Sequence, residues 1–104
     1  MVELSMARPK LCRRISSRPK FTSFRPERVG ESIDEVMLTV DEYEAVRLKD
    51  LLNLEQNLAA IKMRISQPTF HRLLLSARKK ITDAIVHGKA LKIAGGNVDY
   101  GDEV

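Results

Sequence analysis

One cysteine, no tryptophan and only five aromatic side chains stand in a chain of 104 residues. A single cysteine, Cys12, excludes an internal disulfide and a cysteine-based zinc site. With so few aromatics, the limited core of a chain this short has to be largely aliphatic. No apolar run approaches the roughly 20 residues that span a bilayer, so no membrane partner is expected. The N-terminus mixes Arg and Lys with Pro and lacks an apolar h-region, unlike a secretory signal; a reducing, cytoplasmic location is expected. Nor does the sequence show a nucleophile–base pair or a metal-ligand cluster, which predicts no enzyme activity, no cofactor and no metal. Asp41, Glu42 and Glu44 have no His beside them, and His71 has no ligand or base partner at i±4.

Charge is plentiful and segregated. Residues 1–28 carry +6, residues 29–59 carry −6, residues 60–93 carry +7, and residues 94–104 carry −3. Basic blocks of this kind suit a protein that faces a polyanion, although charge runs are often only solvated surface. Pro9, Pro19 and Pro26 argue against a helix in the basic arm 1–28, leaving two short extended pieces, 11–15 and 20–24. Phe21 and Phe24 are expected to anchor that arm onto the helical body. Arg8, Lys10, Arg13 and Arg14 form a basic group that can track phosphates or a minor groove, or remain a solvated tail.

Residues 29–38 read as a mildly acidic linker. Thr39 and Glu42 then form a capping box, with Leu38 and Tyr43 as a hydrophobic staple. The first helix is expected over 40–52, burying Tyr43, Val46 and Leu51 or Leu52, with Asn53 as a left-handed terminator. The acids at its start complement the helix dipole. A second helix over 55–63 should turn Leu58, Ala59 and Ile61 inward. Ser66 caps a third, over 67–87, with Pro68 in its first turn, where a missing donor costs least. Phe70, Leu73, Leu74, Ala77, Ile81, Ala84 and Ile85 recur at steps of three and four, the mark of a helix buried on one side. It should end near His87, with Gly88 at the left-handed position. Residues 89–93 read as a short strand with Leu91 and Ile93 inward, paired with an N-terminal strand of this chain or of a second subunit. The tail 94–104 is expected to be acidic and flexible. The fold class is therefore mainly α: three helices arranged as a helix-turn-helix domain over 39–93, with short extended or β segments.

Helix 55–63, a tight turn and helix 67–87 have the spacing of a helix-turn-helix, whose second helix enters the DNA major groove. Its first outward residues, Gln67, Thr69, His71 and Arg72, are the candidate base contacts: Gln suits adenine, Arg suits guanine, and a Thr methyl suits thymine. Arg78, Lys79 and Lys80, one period onward, are assigned to phosphates, as are Ser66 at the cap and Arg13 and Arg14 in the arm. Cations late in a helix also complement its dipole without binding anything. Leu75 points outward and suggests contact with another subunit or with the arm.

Several segments carry a family resemblance: MARPKLCRRI near the start, F-R-P at 24–26, LTVDEYEAVRLKD at 38–50, SQPTFHRLLLSARKKITDAIVHGKAL at 66–91, and IAGGN at 93–97. The chain resembles an uncharacterised family of small bacterial and archaeal proteins predicted to bind DNA. The helix-turn-helix of that family looks like region 4 of sigma factors. The resemblance runs from Met6 onward, where the family usually starts, and so marks residues 1–5 as an upstream extension. Two positions depart from the family pattern. Arg64 stands where Gly usually occupies the turn, and Asn57-Leu58 replaces a run of acids.

The resemblance implies a transcriptional regulator, and the residues point to sequence-specific binding of double-stranded DNA, as a homodimer on paired half-sites. Two alternatives remain open. One is a protein-interaction module that docks on RNA polymerase or another transcription protein without reading DNA. The other is RNA binding through the basic arm.

Overall fold

A computed structural model describes residues 12–28 and 32–101. Arg8 and Lys10 of the basic arm, residues 1–5 and the last three residues of the acidic tail lie outside the described residues. The elements are β1 (Arg13–Arg14), β2 (Ser23–Phe24), β3 (Glu35–Leu38), α1 (Val40–Val46, continuing as a π-helical stretch, Arg47–Leu51), α2 (Gln56–Met63), α3 (Gln67–His87), β4 (Ala90–Ile93) and β5 (Val98–Asp99). The fold is mainly helical, and its sheets are more than decoration.

β3 and β4 run parallel, Val36 opposite Leu91 and Leu38 opposite Ile93, and β2 pairs antiparallel on the other side of β4. Neighbouring parallel strands need a long crossover. Here the three helices are that crossover, which lays them over one face of the sheet. The expected linker 29–38 therefore ends in a strand, and Leu38 is buried in the core. The expected flexible tail is ordered as far as Gly101: β5 pairs parallel with β1, Arg13 N–H donates to Asn97 (2.9 Å), and Ile15 N–H donates to Asp99 (2.9 Å).

Both caps of α1 form as the sequence implies. Thr39 Oγ1 accepts from the Glu42 N–H, and Glu42 Oε1 accepts from the Thr39 N–H at 2.9 Å. Leu38 and Tyr43 both pack against the core, as a staple requires. The later part of the helix departs from expectation. Leu48 is buried, whereas Leu51 is 74% exposed and Leu52 is exposed too. The π-helical turn explains this: Leu52 N–H reaches back five residues to Arg47 O (3.0 Å), so positions after Leu48 fall behind the 3.6-residue period and rotate off the core. Asn53 ends the segment in the left-handed region, φ 61°.

α2 buries Ala59, Ala60 and Met63; Leu58 and Ile61, expected inside, are exposed. Two alanines and one flexible methionine make a narrow stripe that lets α2 lie close against α3, and the branched side chains are left on the outer face. In α3, Phe70, Leu74, Ala77 and Ala84 are buried, and Leu73 and Ile81 pack beside them. Ile85 is 75% exposed, because the last turns of this 21-residue helix run past the core. Phe70 is the one aromatic in a buried cluster otherwise made of Ile, Leu, Val, Ala and Met. Phe21 and Phe24 stay exposed and do not anchor the arm. That role falls to Ile15, which is buried.

Three residues, Arg64 to Ser66, join α2 to α3. Arg64 takes the left-handed conformation (φ 59°, ψ 44°) that an L side chain disfavours. It is solvent-exposed, so nothing packs to offset that strain. Arg64→Gly is expected to raise stability by about 1 kcal/mol, the left-handed penalty less the extra entropy that Gly loses. Urea unfolding measures it, and an unchanged or lower midpoint contradicts the assignment of strain.

Candidate nucleic-acid interface

The start of α3 is held by a short chain of hydrogen bonds. Ser66 Oγ accepts from the Thr69 N–H (3.2 Å) and donates to Thr69 Oγ1 (2.9 Å). Thr69 Oγ1 in turn accepts from Arg72 Nη2 (3.3 Å). One cap residue thus fixes the helix terminus and also orders the side chain two turns along. Gln67, His71 and Arg72 are exposed and Thr69 is half-buried, so the structure brings all four proposed base contacts onto one accessible helix start.

The proposed phosphate contacts divide. Ser66 and Lys79 are exposed, and Lys79 has no ion pair among the described residues. Arg78 makes a two-pronged pair with Asp50 at the end of α1, at 2.7 and 3.0 Å. Lys80 Nζ donates to Glu42 Oε1 at 2.8 Å. Arg13 Nε is buried 3.7 Å from Asp41 Oδ2, with no hydrogen-bond partner among the described residues. Arg14 lies so close to Gly101 that a Cβ there would overlap its guanidinium. Arg78, Lys80 and Arg13 are thus already engaged by acids of α1. Those acids stand 28 or more residues away in sequence, so neither helix periodicity for Arg78 and Lys80 nor the basic run of the arm for Arg13 reveals the pairing. Lys62 and Arg64 were missed. Both are exposed beside the turn and have no ion pair among the described residues. Their signal was available as basic residues within four positions of the Ser66 cap.

Asp41, Glu42 and Glu44 serve the fold. Glu42 joins α1 to α3, accepting from Lys80 and from Ser76 Oγ (2.5 Å). Burial opposes its charge, but hydrogen bonds from Lys80, Ser76 and the Thr39 N–H outweigh burial and hold the carboxyl below its ordinary value of 4.5. Asp50 lies below its ordinary 3.8, chiefly through Arg78. A carboxylate with a depressed folded pKa contributes stability above its unfolded pKa and loses it as pH falls through the folded value. Stability is therefore expected to decline progressively as pH drops below about 4.5. Glu42→Gln, which keeps a capping side chain, should flatten that decline. Urea midpoints from about pH 6 to pH 3 test this; midpoints independent of pH contradict it.

Among the described residues no group of three or more His, Cys, Asp or Glu is placed to hold a metal ion. Nor, among the described residues, is any helix long and apolar enough to cross a membrane.

Together these elements define a small, mainly helical protein in which three helices cross between two parallel strands. The chain belongs to the family described as Protein of unknown function DUF134, whose model matches residues 2–101. A UPF0251 protein of Thermoanaerobacter pseudethanolicus is 52% identical over 99 residues, covering 94% of this chain and 84% of the relative. A UPF0251 protein of Pelotomaculum thermopropionicum is 50% identical over 93 residues, 88% of this chain and 70% of the relative. One from Dehalococcoides mccartyi is 53% identical over 92 residues, 88% of this chain and 79% of the relative. No solved structure matches the chain.

Proposed function

We propose that this chain is a sequence-specific DNA-binding protein, non-enzymatic and acting in the cytoplasm as a transcriptional regulator. The α2–turn–α3 unit serves as its helix-turn-helix, and the start of α3 reads the major groove. The Ser66–Thr69–Arg72 chain of hydrogen bonds carries this reading, because it orders a guanidinium on the exposed start of α3, beside the free N–H of Gln67. A helix N-terminus attracts phosphate, and a guanidinium matches the O6/N7 edge of guanine. Lys62, Arg64 and Lys79 supply backbone contacts around it. A homodimer would present two such surfaces to paired half-sites, with Leu75, exposed on α3, on the joining face.

Arg72→Ala is expected to cost about 1–3 kcal/mol on the preferred site and to relax preference at one base pair. Lys79→Ala should weaken all sequences alike and lower the salt dependence by about one phosphate. Fluorescence anisotropy on a selected site and on scrambled DNA measures both. If Arg72→Ala weakens both DNAs equally, the guanidinium is not reading a base.

The competing module that docks on RNA polymerase or another transcription protein draws support from Leu58 and Ile61, which are exposed on the outer face of α2. Substitution of both by Ser should leave DNA affinity unchanged if DNA is the partner. RNA binding through the arm is weakened by Arg13, whose half-buried side chain is already paired with Asp41.

A further inference from the structure

A groove of about 600 Å³ runs between the β2–β4 face of the sheet, the π-helical end of α1 and the last third of α3. Its walls include Leu38, Val46, Leu91 and Ile93, with Leu51 and Ile85 at the lip. Among the described residues three cations, Arg25, Arg47 and Lys89, line it, and no acid does. Arg47 is held by Glu44 and Lys89 by Asp83, but Arg25 has no ion pair among the described residues. We propose that this groove binds a small amphipathic carboxylate, its apolar body between Leu38, Val46 and Leu91 and its carboxylate on Arg25.

The volume lies within the range of sites for small organic ligands, which are mostly apolar with a few polar groups that fix orientation. An arginine fork is the side chain best matched to a carboxylate. The π-helical turn that ends α1 turns Leu51 away from the core to the groove's lip. A second copy of the chain suits the groove less well, because a two-fold axis would bring Arg25 of each copy onto a rim whose charged groups, among the described residues, are all cations. The groove does not include the proposed DNA contacts, since its α3 residues begin at Ile81, whereas the base contacts end at Arg72 and the last phosphate contact, Lys79, does not line it. Ligand binding therefore does not depend on the DNA reading.

The test uses the full chain, methyl-labelled, titrated with decanoate and separately with decanol. Decanoate should shift the methyl resonances of Leu51, Ile81, Ile85 and Leu91 along a saturable curve. Decanol should bind roughly tenfold or more weakly, because it lacks the charge-assisted hydrogen bonds to arginine. Arg25→Gln, at an exposed position, should bring decanoate down to the level of decanol and leave decanol unchanged. Absence of saturable shifts with decanoate overturns the proposal. So does equal binding of the two probes, or an Arg25→Gln variant that binds decanoate as well as the parent. Movement of the same methyls on dilution of the unliganded protein, with a doubled sedimentation mass, assigns the groove to a second copy and also overturns it.

Discussion

Glu44→Ala should destabilise the fold by about 3–5 kcal/mol, the cost of leaving one partner of a buried ion pair uncompensated. The Glu44 side chain is fully buried and accepts three bonds: from Arg47 Nε (2.8 Å), Arg47 Nη2 (3.0 Å) and the Ser16 backbone N–H (2.9 Å). Arg47 is only partly buried and has some route to solvent, which places the effect toward the lower end. Loss of the bond to the Ser16 N–H also releases the segment around Ile15 from the helical body. Two measurements separate these consequences. Urea unfolding gives the total, and amide exchange at Ile15 and Ser16 should speed up more than exchange in α3. Paired replacement by apolar residues, Glu44→Leu with Arg47→Met, should recover much of the loss, because no charge is then left unpartnered. A single substitution costing under about 1 kcal/mol would mean that the pair is solvated, contrary to its burial.

Phe70→Ala is expected to cost about 3–5 kcal/mol, the usual range for removing a buried aromatic and leaving its cavity. Phe70 is completely buried in the first turn of α3, beside the turn that joins it to α2. Its neighbours on the α2 side are two alanines and Met63, so little side-chain volume is available to fill the gap. For a domain of this size each kcal/mol lowers Tm by roughly 4–8 °C, so the variant should melt some tens of degrees early. Phe70→Leu, which keeps most of the volume, should cost far less. Equal losses for the two variants would show that the site collapses readily and that aromatic packing does not position α3.

Much of the helical frame was legible in the sequence because its signals are local. The Thr39–Glu42 capping box, the Ser66 cap, Asn53 and Gly88 each mark a boundary from within a few residues, and each marks it in the structure. What escaped depends on partners far away in sequence. Glu35–Leu38 becomes a strand because β4, more than fifty residues later, supplies its hydrogen-bonding neighbour. Residues 98–99 are ordered by Arg13 and Arg14 in the same way. Leu51 or Leu52, Leu58, Ile61 and Ile85 were expected inside because periodicity places apolar residues at steps of three and four in the core. A small domain, however, has only a narrow interior, and alanines at close helix approaches take some of it. The site shows the same division. The exposed start of α3 followed from its cap and its register, whereas the pairing of Arg78 and Lys80 with α1 did not.

The central claim, that the start of α3 reads DNA sequence, is tested most directly by selecting bound sequences from a random double-stranded pool. The affinity of the selected site is then measured across a salt series for the parent chain and for Arg72→Ala. The expected result is one enriched motif, an affinity that falls steeply and linearly with the logarithm of salt concentration, and loss of preference at a single base pair in the variant. A pool that emerges unenriched, or a motif that Arg72→Ala leaves intact at every position, would contradict it.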